Sequence, residues 1–532
     1  MNTHITHRRA PALVAALCLA AAACTDLTVE PKSTPTEGSA FSEAASYRAF
    51  LGRIYAGLAV SGQQGGAGDP DIQGIDEGFS QYLRLYWETQ ELPTDEAVIA
   101  WNDIGLPEMN TMTWTSSSRM VVAMYYRIYF QAVLANEFLR QTTVAKLDAR
   151  RQVSPSLRAD VKQYRAEARF LRALSYWHAI DLFGDVPLVT ESDTTSGLPP
   201  LQSTRTTVYN YIVSELTAIK DSLPQMSGLA PDANFYGRAT QDAASMLLAE
   251  VYLNAAVYTG TPHYAEALTA ASAVINSVHY SLDTSYKHLF LADNNTSHEI
   301  IFAITQDGLK TQTYGGVTFL AHAACGGSMN NGTYGIDGCW WGLRVKPQAD
   351  SFYVAGDRRK AYFYTTGQTL AVTNIGDFTN GHAAPKFQNV TSAGLPGSSG
   401  AFVDTDFPVF RLGEAYLIYA EAHLRGGGGS LGQAEAYVDS LRVRAFGDAT
   451  HNVPAGTLAL DTVLVERGRE LLWEAHRRTD LIRYGRFTGA TYLWAWKGGT
   501  LAGTATLAYL DLYPLPASEL VANPNLQQNP GY

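Results

Sequence analysis

Two stretches of the sequence bring aromatic and polar side chains close together. The first is 82–114, with Tyr82, Arg84, Trp87, Asp95, Trp101 and Asn102, and the second is 325–344, with Asn330, Tyr334, Trp340, Trp341 and Arg344. Aromatic faces stack on the flat apolar faces of sugar rings, while polar groups beside them bond to the hydroxyls. We interpret these residues as candidates for binding a ligand such as a glycan. For each tryptophan, packing in the core is the open alternative.

Carboxylates in the same stretches raise the possibility of catalysis. A glycoside hydrolase needs two carboxylates set apart in a cleft, and Asp95, Glu96, Asp103 and Asp337 are available for that role. Spacing in the sequence does not fix their separation, so a hydrolase stays open as an alternative. The sequence contains no Gly-x-Ser-x-Gly, His-Glu-x-x-His or phosphate-loop motif. It therefore predicts no catalytic residue, no cofactor and no metal site.

The N-terminus is typical of a targeting segment. A basic start and a short apolar run end in Ala21-Ala22-Ala23-Cys24, which predicts a lipoprotein signal peptide over 1–23. Cys24 would then carry the lipid, and 24–40 would be a polar tether. An ordinary signal cleavage near Ala23, with Cys24 unmodified, is the alternative.

After removal of the signal peptide and lipidation of Cys24, two cysteines remain. Cys325 and Cys339 can pair in an oxidising compartment, closing a loop of about 15 residues that stabilises the fold by about 3 kcal/mol. Two free thiols are the alternative. The net charge of −11 argues against nucleic acid or an anionic membrane surface as a partner.

Apolar periodicity predicts a mostly helical protein. The predicted helices are 42–60, 119–141, 157–183, 206–223, 240–258, 264–277, 412–424, 431–446 and 461–484. Short turns between them favour stacked hairpins of a degenerate tetratricopeptide-like kind, because no strict repeat fits. We expect one domain over 41–532, with 41–280 and 408–532 as helical scaffold and 281–407 as an irregular, loop-rich insertion facing the ligand. A second loop-rich stretch is predicted over 62–118. A helical-repeat scaffold that binds only proteins remains an alternative.

Charged residues in the C-terminal third are spaced for ion pairs rather than for catalysis. Glu466, Glu470 and Glu474 recur every four residues, which would repel unless cations interleave. The predicted pairs are the glutamates with Arg469, Arg477 and Arg478, Asp480 with Arg477 or Arg483, Arg411 with Glu414, and Glu421 with Arg425.

Several of these segments resemble the signatures of the SusD/RagB family. The matching segments are Glu-Ala-Arg-Phe-Leu-Arg-Ala at 167–173 with Leu-Phe-Gly-Asp-Val-Pro-Leu-Val at 182–189, the run at 410–422, the run at 466–481 and the ending Gln-Asn-Pro-Gly-Tyr at 528–532. The resemblance implies tetratricopeptide-like helix pairs, a loop-rich ligand face that includes the region of 94–103, and no catalysis. It also implies a surface lipoprotein that passes an oligosaccharide or another nutrient to a SusC-like TonB-dependent transporter.

Overall fold

The computed structural model describes residues 41, 43–193 and 197–532. The predicted signal peptide, the tether 24–40 and the predicted lipidation at Cys24 lie outside the described residues. The chain divides into two units, Met1–Ala49 and Phe50–Tyr532. In the first unit, the rings of Phe41 and Tyr47 lie 5.4 Å apart; the remaining description concerns the second.

The described residues form a mostly helical protein. Its α-helices are α1 (Ala44–Ala59), α2 (Tyr82–Glu91), α3 (Leu106–Thr111), α4 (Arg119–Gln141), α5 (Val144–Ala149), α6 (Pro155–Phe183), α7 (Arg205–Ile219), α8 (Gln241–Leu253), α9 (Ala255–Thr259), α10 (Tyr264–Ile275), α11 (Gly316–Ala323), α12 (Pro347–Ser351), α13 (Leu412–Leu424), α14 (Leu431–Phe446), α15 (Leu460–Glu470), α16 (Arg477–Arg483) and α17 (Ala517–Ala522). The strands are β1 (Ala97–Ile99), β2 (Val186–Pro187), β3 (Gln202–Ser203), β4 (Ile300–Ile304), β5 (Leu343–Val345) and β6 (Phe407–Arg411). They form three two-stranded antiparallel sheets, β1 with β5, β2 with β3, and β4 with β6.

Helices that follow one another pack as hairpins, as predicted. The pairs are α4 with α6, α6 with α7, α8 with α10, and α13 with α14. Local signals fix their ends: the hydroxyls of Thr204, Thr240 and Ser430 cap the starts of α7, α8 and α14. Helix α6 ends at Gly184, whose φ of +74° suits glycine far better than other residues. Within the described residues, no helix has the length and apolar composition needed to cross a bilayer.

The predicted insertion leaves the scaffold and returns to it at one place. Helix α10, before the insertion, packs directly on α13, after it. Strands β4 and β6 lie near its two ends and pair antiparallel, with Ile300 opposite Arg411 and Ile304 opposite Phe407. Within 281–407, the segment 352–406 contains no α-helix, whereas the earlier part contains α11, α12, β4 and β5.

Two expectations about secondary structure are wrong. The stretch 62–118 contains α2, β1 and α3, and every residue of α2 is buried. The helix expected over 461–484 is interrupted, because Trp473 and Ala475 adopt φ values of +61° and +66°. That turn lets the Trp473 carbonyl accept from Trp87 Nε1 at 3.0 Å, so tertiary bonding overrides helical periodicity.

A buried set of ion pairs lies where the helices of the last third meet the insertion. This charged interior consists of Glu299, Arg359, Arg411, Arg444, Glu466, Glu470 and Glu474, all nearly closed to solvent. Arg411 donates to Glu470 at 2.7 Å and to Glu474 at 2.6 Å. Burial alone would raise the pKa of Glu470, but the surrounding arginines hold it well below its usual range.

The predicted pairings are partly right. Glu421 pairs with Arg425 at 2.8 Å, Asp480 with Arg483 at 2.7 Å, and Glu466 with Arg469 at 3.2 Å. The other assignments are wrong: Arg477 pairs with Asp95, Arg478 with Asp181, and Arg411 with residues other than Glu414. For Arg477 and Arg478 the reason is the end of α15 at Glu470, which takes the later residues off the helical stripe.

Candidate functional site

A short sheet brings the two aromatic-rich stretches together. Strand β1 pairs with β5 so that Ala97 lies opposite Val345 and Ile99 opposite Leu343. Segments that are more than 200 residues apart in the sequence therefore share one small framework. The sequence identified both stretches but gave no indication that they pair.

Residues 340–342 are fixed on the end of α11. The backbone N–H groups of Trp340, Trp341 and Gly342 donate to the carbonyls of His322, Cys325 and Ala323, each at 2.9 Å. Carbonyls at a helix end otherwise lack partners. A disulfide joins Cys325 to Cys339, the predicted pairing, with their Cα atoms 4.7 Å apart. The loop that precedes Trp340 is therefore closed covalently.

Trp101 is held against this segment by its backbone and by its ring. The N–H of Ala100 donates to the Gly342 carbonyl at 2.9 Å, and Trp101 Nε1 donates to the Trp340 carbonyl at 2.8 Å. A Cβ at Gly342 would lie 2.9 Å from Trp101 Cε2 and Cζ2. Glycine at this position thus lets the indole lie against the backbone.

Four aromatic rings follow one another from this point, and we call them the aromatic row: Trp101, Trp340, Tyr314 and Phe402. The ring centroids of Trp101 and Trp340 are 6.3 Å apart, those of Trp340 and Tyr314 6.2 Å, and those of Tyr314 and Phe402 5.2 Å. Successive planes are inclined by 44°, 53° and 46°. Tyr314 is 44% exposed, and the other three are half-buried. The row is a stepped aromatic surface reached by solvent.

Tyr314 and Phe402 were missed by the sequence reasoning because both lie outside the two stretches. The sequence feature that could have indicated them is an aromatic residue close to glycine. Tyr314 precedes Gly315-Gly316, and Phe402 follows Gly400-Ala401. The imidazole of His322 stacks on the indole of Trp340, with ring centroids 4.5 Å apart. Burial lowers the pKa of His322, so this imidazole is neutral at pH 7.

Polar side chains border the row. Asn102 and Asp103 follow Trp101 directly and are exposed. Asp337 is also exposed, and its N–H donates to the Gly400 carbonyl at 3.0 Å, which holds it near Phe402. Of the predicted ligand-binding residues, Trp101, Asn102 and Trp340 are therefore placed where a ligand on the row would meet them.

Two predicted ligand-binding arginines are internal supports instead. Arg84 lies between the rings of Phe79 and Phe319, 3.8 and 4.1 Å from their centroids, and donates to Glu88 at 2.8 Å. Arg344 donates to the carbonyls of Gly342, Ile375, Asp377 and Asn380. Both side chains are buried, so their assignment to the ligand surface is corrected.

Three more predicted contacts are also buried. Tyr82 OH bonds to His178 Nδ1 at 2.8 Å, and Trp87 packs edge-on against Trp473 with centroids 5.6 Å apart. Asp95 accepts from Arg477 Nε and Nη2 at 2.7 and 2.6 Å. The physical reason is the same for Tyr82 and Trp87: α2 is buried on all sides, so its aromatic residues serve the core.

The remaining three predicted contacts are accessible but stand apart from the row. Asn330 caps a short 3₁₀ turn by accepting from the Gly332 N–H at 3.0 Å. Tyr334 lines an open cleft of about 820 Å³ to which no residue of the row contributes. Trp341 is 50% exposed and faces Phe378, with ring centroids 5.9 Å apart.

The carboxylates considered for hydrolysis are divided between the interior and the surface. Asp95 and Glu96 are buried, whereas Asp103 and Asp337 are exposed. Burial raises the pKa of Glu96, and the neighbouring Glu91 adds to the shift. Two of the four carboxylates are thus closed off from any substrate.

One buried group in the described residues has the composition of a metal site. Ligand atoms of Glu250, Glu414 and His476 all lie within 4.8 Å of one another. Burial raises the pKa of Glu414 well above its usual range, and Glu250 contributes. Arg467 Nη2 lies 3.7 Å from Glu250 Oε1, so a guanidinium already supplies positive charge beside these carboxyls.

Comparison with known proteins identifies the chain. The SusD family profile matches residues 337–532, and a second profile, described as starch-binding and associating with the outer membrane, matches 84–253. Starch-binding protein SusD of Bacteroides thetaiotaomicron is 36% identical over an alignment that covers 98% of each chain. The chain belongs to the SusD family.

Other SusD-like proteins agree with this assignment. SusD-like protein P2 of Formosa agariphila is 27% identical over 80% of this chain and 83% of its own. Among solved structures, a SusD superfamily protein from Bacteroides thetaiotaomicron has a TM-score of 0.70 at 21% identity, covering 92% of this chain and 99% of that one. Surface glycan-binding protein A from the same species, in complex with laminarihexaose, has a TM-score of 0.69 at 20% identity over 91% and 99%. At these identities the structures establish the shared fold.

Proposed function

We propose that this SusD family member binds a starch-like glucan on the aromatic row at the surface of the outer membrane. It then delivers the glucan, uncleaved, to a SusC-like TonB-dependent transporter. The observation that carries the proposal is the row itself, with its tilted platforms and polar border. Sugar rings stack on such platforms through their apolar faces while amides and carboxylates bond to the hydroxyls.

The inclination of the rings bears on the shape of the ligand. Neighbouring planes are inclined by 44–53°, so a flat, straight chain cannot stack on two neighbouring rings at once, whereas a curved chain can. An α-1,4-linked glucan curves in this way, whereas a β-1,4-linked glucan is a flat ribbon. The 36% identical relative is named a starch-binding protein, which supports the same class of ligand.

The support of the row favours capture over catalysis. Trp101 and Trp340 are fixed by backbone hydrogen bonds, a strand pair and a disulfide. A rigid surface of this kind lowers the ordering cost of binding. Asp95 is engaged by Arg477 and is unavailable as a general acid or base.

Delivery and anchoring complete the proposal. Lipid on Cys24 would tether the protein to the outer membrane, and each buried methylene of the acyl chains would contribute about 0.8 kcal/mol. The family profile that matches 84–253 is described as associating with the outer membrane. A surface-anchored protein that captures sugar without cleaving it needs a transporter to take the sugar over.

The first experiment is calorimetry of the purified chain with maltoheptaose, laminarihexaose and cellohexaose, followed by product analysis after prolonged incubation. We expect maltoheptaose to bind, cellohexaose to bind weakly or not at all, and no shorter sugar to appear. Preference for laminarihexaose would keep glycan capture but overturn the assignment to starch. Release of shorter sugars would overturn the proposal of capture without cleavage.

The partner is tested by co-purification. The chain with an affinity tag, expressed in its own host, is extracted in mild detergent, and the bound proteins are identified. A TonB-dependent barrel in stoichiometric amount is the expected result. If the tagged protein binds glucan but no barrel co-purifies with it, the delivery step of the proposal is wrong.

A further inference from the structure

The segment 140–172 has a charge opposite to that of the protein as a whole. It contains nine Lys and Arg residues against three Asp and Glu, a local net charge of +6, while the whole chain carries −11. The rest of the chain therefore carries −17. Net charge alone argued against an anionic surface as a partner, but the local distribution decides such contacts.

The basic residues form a stripe on one face of α6. Its members, spaced by four and three residues in alternation, are Arg158, Lys162, Arg165, Arg169 and Arg172. Like charges at this spacing destabilise a helix unless opposite charges compensate them. Arg158 pairs with Asp148, Arg169 with Glu215, and Arg172 with Glu191 and Glu215.

The two central cations have no carboxylate partner among the described residues. Arg165 donates to the carbonyl of Leu139 and to the hydroxyl of Thr142, both neutral acceptors. Lys162 is exposed. Burial lowers the pKa of Arg165, the charge of Glu191 opposes that shift, and the neighbouring Arg169 and Arg172 add to it. An anion placed between Lys162 and Arg165 would supply the missing charge.

These cations line a groove of about 520 Å³ between α5, α6 and the end of α7. The walls also include Thr143 and Ser222, whose hydroxyls can donate to an anion, and the apolar residues Val144, Leu147, Val161 and Ile219. The one carboxylate among the described lining residues, Glu191, pairs with Arg172. Among the described residues, no aromatic side chain lines the groove, so nucleic-acid bases would have nothing to stack on. Cations beside an apolar wall fit a lipid headgroup, which joins a phosphate to hydrocarbon.

Exposed apolar residues beside the groove support a membrane as the source of the phosphate. Val144 and Val153 in the adjoining segment are 64% and 62% exposed. Exposed apolar residues among cations are typical of segments that lie at a membrane interface.

We propose that the groove of Arg158, Lys162, Arg165 and Arg169 is a binding site for phosphate-bearing lipid headgroups of an anionic membrane surface. It would hold the protein against the membrane in addition to any lipid on the N-terminus. The site is independent of the aromatic row, so glycan binding and headgroup binding can fail separately.

The test uses the chain from Thr25, which keeps every described residue and lacks the proposed lipid. It is sedimented with vesicles of phosphatidylcholine alone or with about one-third phosphatidylglycerol, at low and at high salt. We expect binding only to the anionic vesicles and loss of binding as salt rises. Equal binding to both vesicle types, or none to either, would overturn the proposal.

Three variants locate the contact. Lys162→Gln should weaken partitioning about fivefold, and Lys162→Gln with Arg165→Gln about 25-fold, because each cation at an anionic surface contributes about a factor of five. The matched control is Lys310→Gln, which removes the same charge from an exposed residue paired only with Asp307. Equal losses in Lys162→Gln and Lys310→Gln would show a general effect of charge and overturn the site.

Two further readouts separate the remaining explanations. Thermal melting and maltoheptaose binding should be unchanged in Lys162→Gln, so a loss of vesicle binding there is not a loss of folding or of the proposed glucan site. Inorganic phosphate at the same ionic strength as a chloride control should not release the protein from vesicles more than chloride does. Selective release would identify a free-phosphate site and overturn the assignment to a lipid surface.

Discussion

The aromatic row and the charged interior are held in place by different chemistry. The row depends on backbone hydrogen bonds, a strand pair, a glycine contact and a disulfide, and its side chains are partly open to solvent. The charged interior depends on side-chain ion pairs such as Arg411 with Glu470, and it is closed to solvent. Substitutions in the charged interior should therefore change stability, and substitutions in the row should change binding.

The largest effect should follow from breaking the charged interior. Arg411→Ala leaves Glu470 and Glu474 buried with fewer cations, which should lower the free energy of unfolding by about 3–5 kcal/mol. Urea unfolding measures this loss of stability. The control is Arg486→Ala, because the ion pair of Arg486 with Asp461 is exposed and contributes about 0–1 kcal/mol. A loss in Arg411→Ala no larger than that of the control would contradict the importance of the buried pairs.

Removing the disulfide should affect both stability and binding. Cys325→Ser with Cys339→Ser should lower the free energy of unfolding by about 3 kcal/mol, since the two cysteines are 14 positions apart. It should also weaken glucan binding several-fold, because the loop before Trp340 must then be ordered on binding. The unmodified protein in reducing agent should show the same losses of stability and affinity as the double variant. Unchanged glucan affinity in both samples would show that the loop is rigid without the disulfide.

A change confined to the row should act on affinity. Trp340→Ala should weaken maltoheptaose binding by about 2 kcal/mol, roughly 30-fold in Kd, as for a central aromatic contact. Trp341→Ala is the matched comparison, because this neighbour faces Phe378 rather than the row, and its Kd should change less than about threefold. Calorimetry measures both Kd values. A larger loss of affinity in Trp341→Ala than in Trp340→Ala would indicate that the glucan site lies beside Phe378.

The last prediction concerns pH and the support of the row, and its effect is the smallest when it is counted for each unit of pH. The Nζ of Lys346 is buried and donates to the carbonyls of Leu92 and Thr94. Burial lowers the pKa of this amine to about 7. Between pH 7 and about 10.4, the unfolded chain binds this proton more readily, so stability should rise with pH there, by at most about 1.4 kcal/mol per unit. Lys346→Met should flatten that slope in urea unfolding across pH 7–10. An unchanged slope would show that another group titrates there.

Helix positions were the part of the fold most accessible from the sequence. The predicted ends of 119–141, 412–424 and 431–446 match α4, α13 and α14, because apolar periodicity and local capping decide such elements. The break after Glu470 was not accessible, since it depends on Trp473 meeting Trp87 from the other end of the chain.

For the site, residue types in the sequence indicated composition but not burial. It identified both stretches that β1 and β5 join, and it named Trp101 and Trp340. It could not separate these from Trp87 or Arg84, because residue type does not reveal which face of α2 meets another layer; here all of them do. Tyr314 and Phe402 reach the row only through the folding of the insertion, which carries little periodic pattern.

The close return of the insertion has an evolutionary consequence. Strands β4 and β6 pair near the two ends of the insertion, and α10 packs on α13. The insertion therefore leaves the scaffold and rejoins it at nearly the same point. Lengthening such an excursion costs little, since doubling a loop adds only about 0.6 kcal/mol of closure entropy. The parts of 305–406 that do not pack on the scaffold can thus diverge and give related proteins new ligand preferences, whereas Arg359 and β5 must keep their partners in the helical frame.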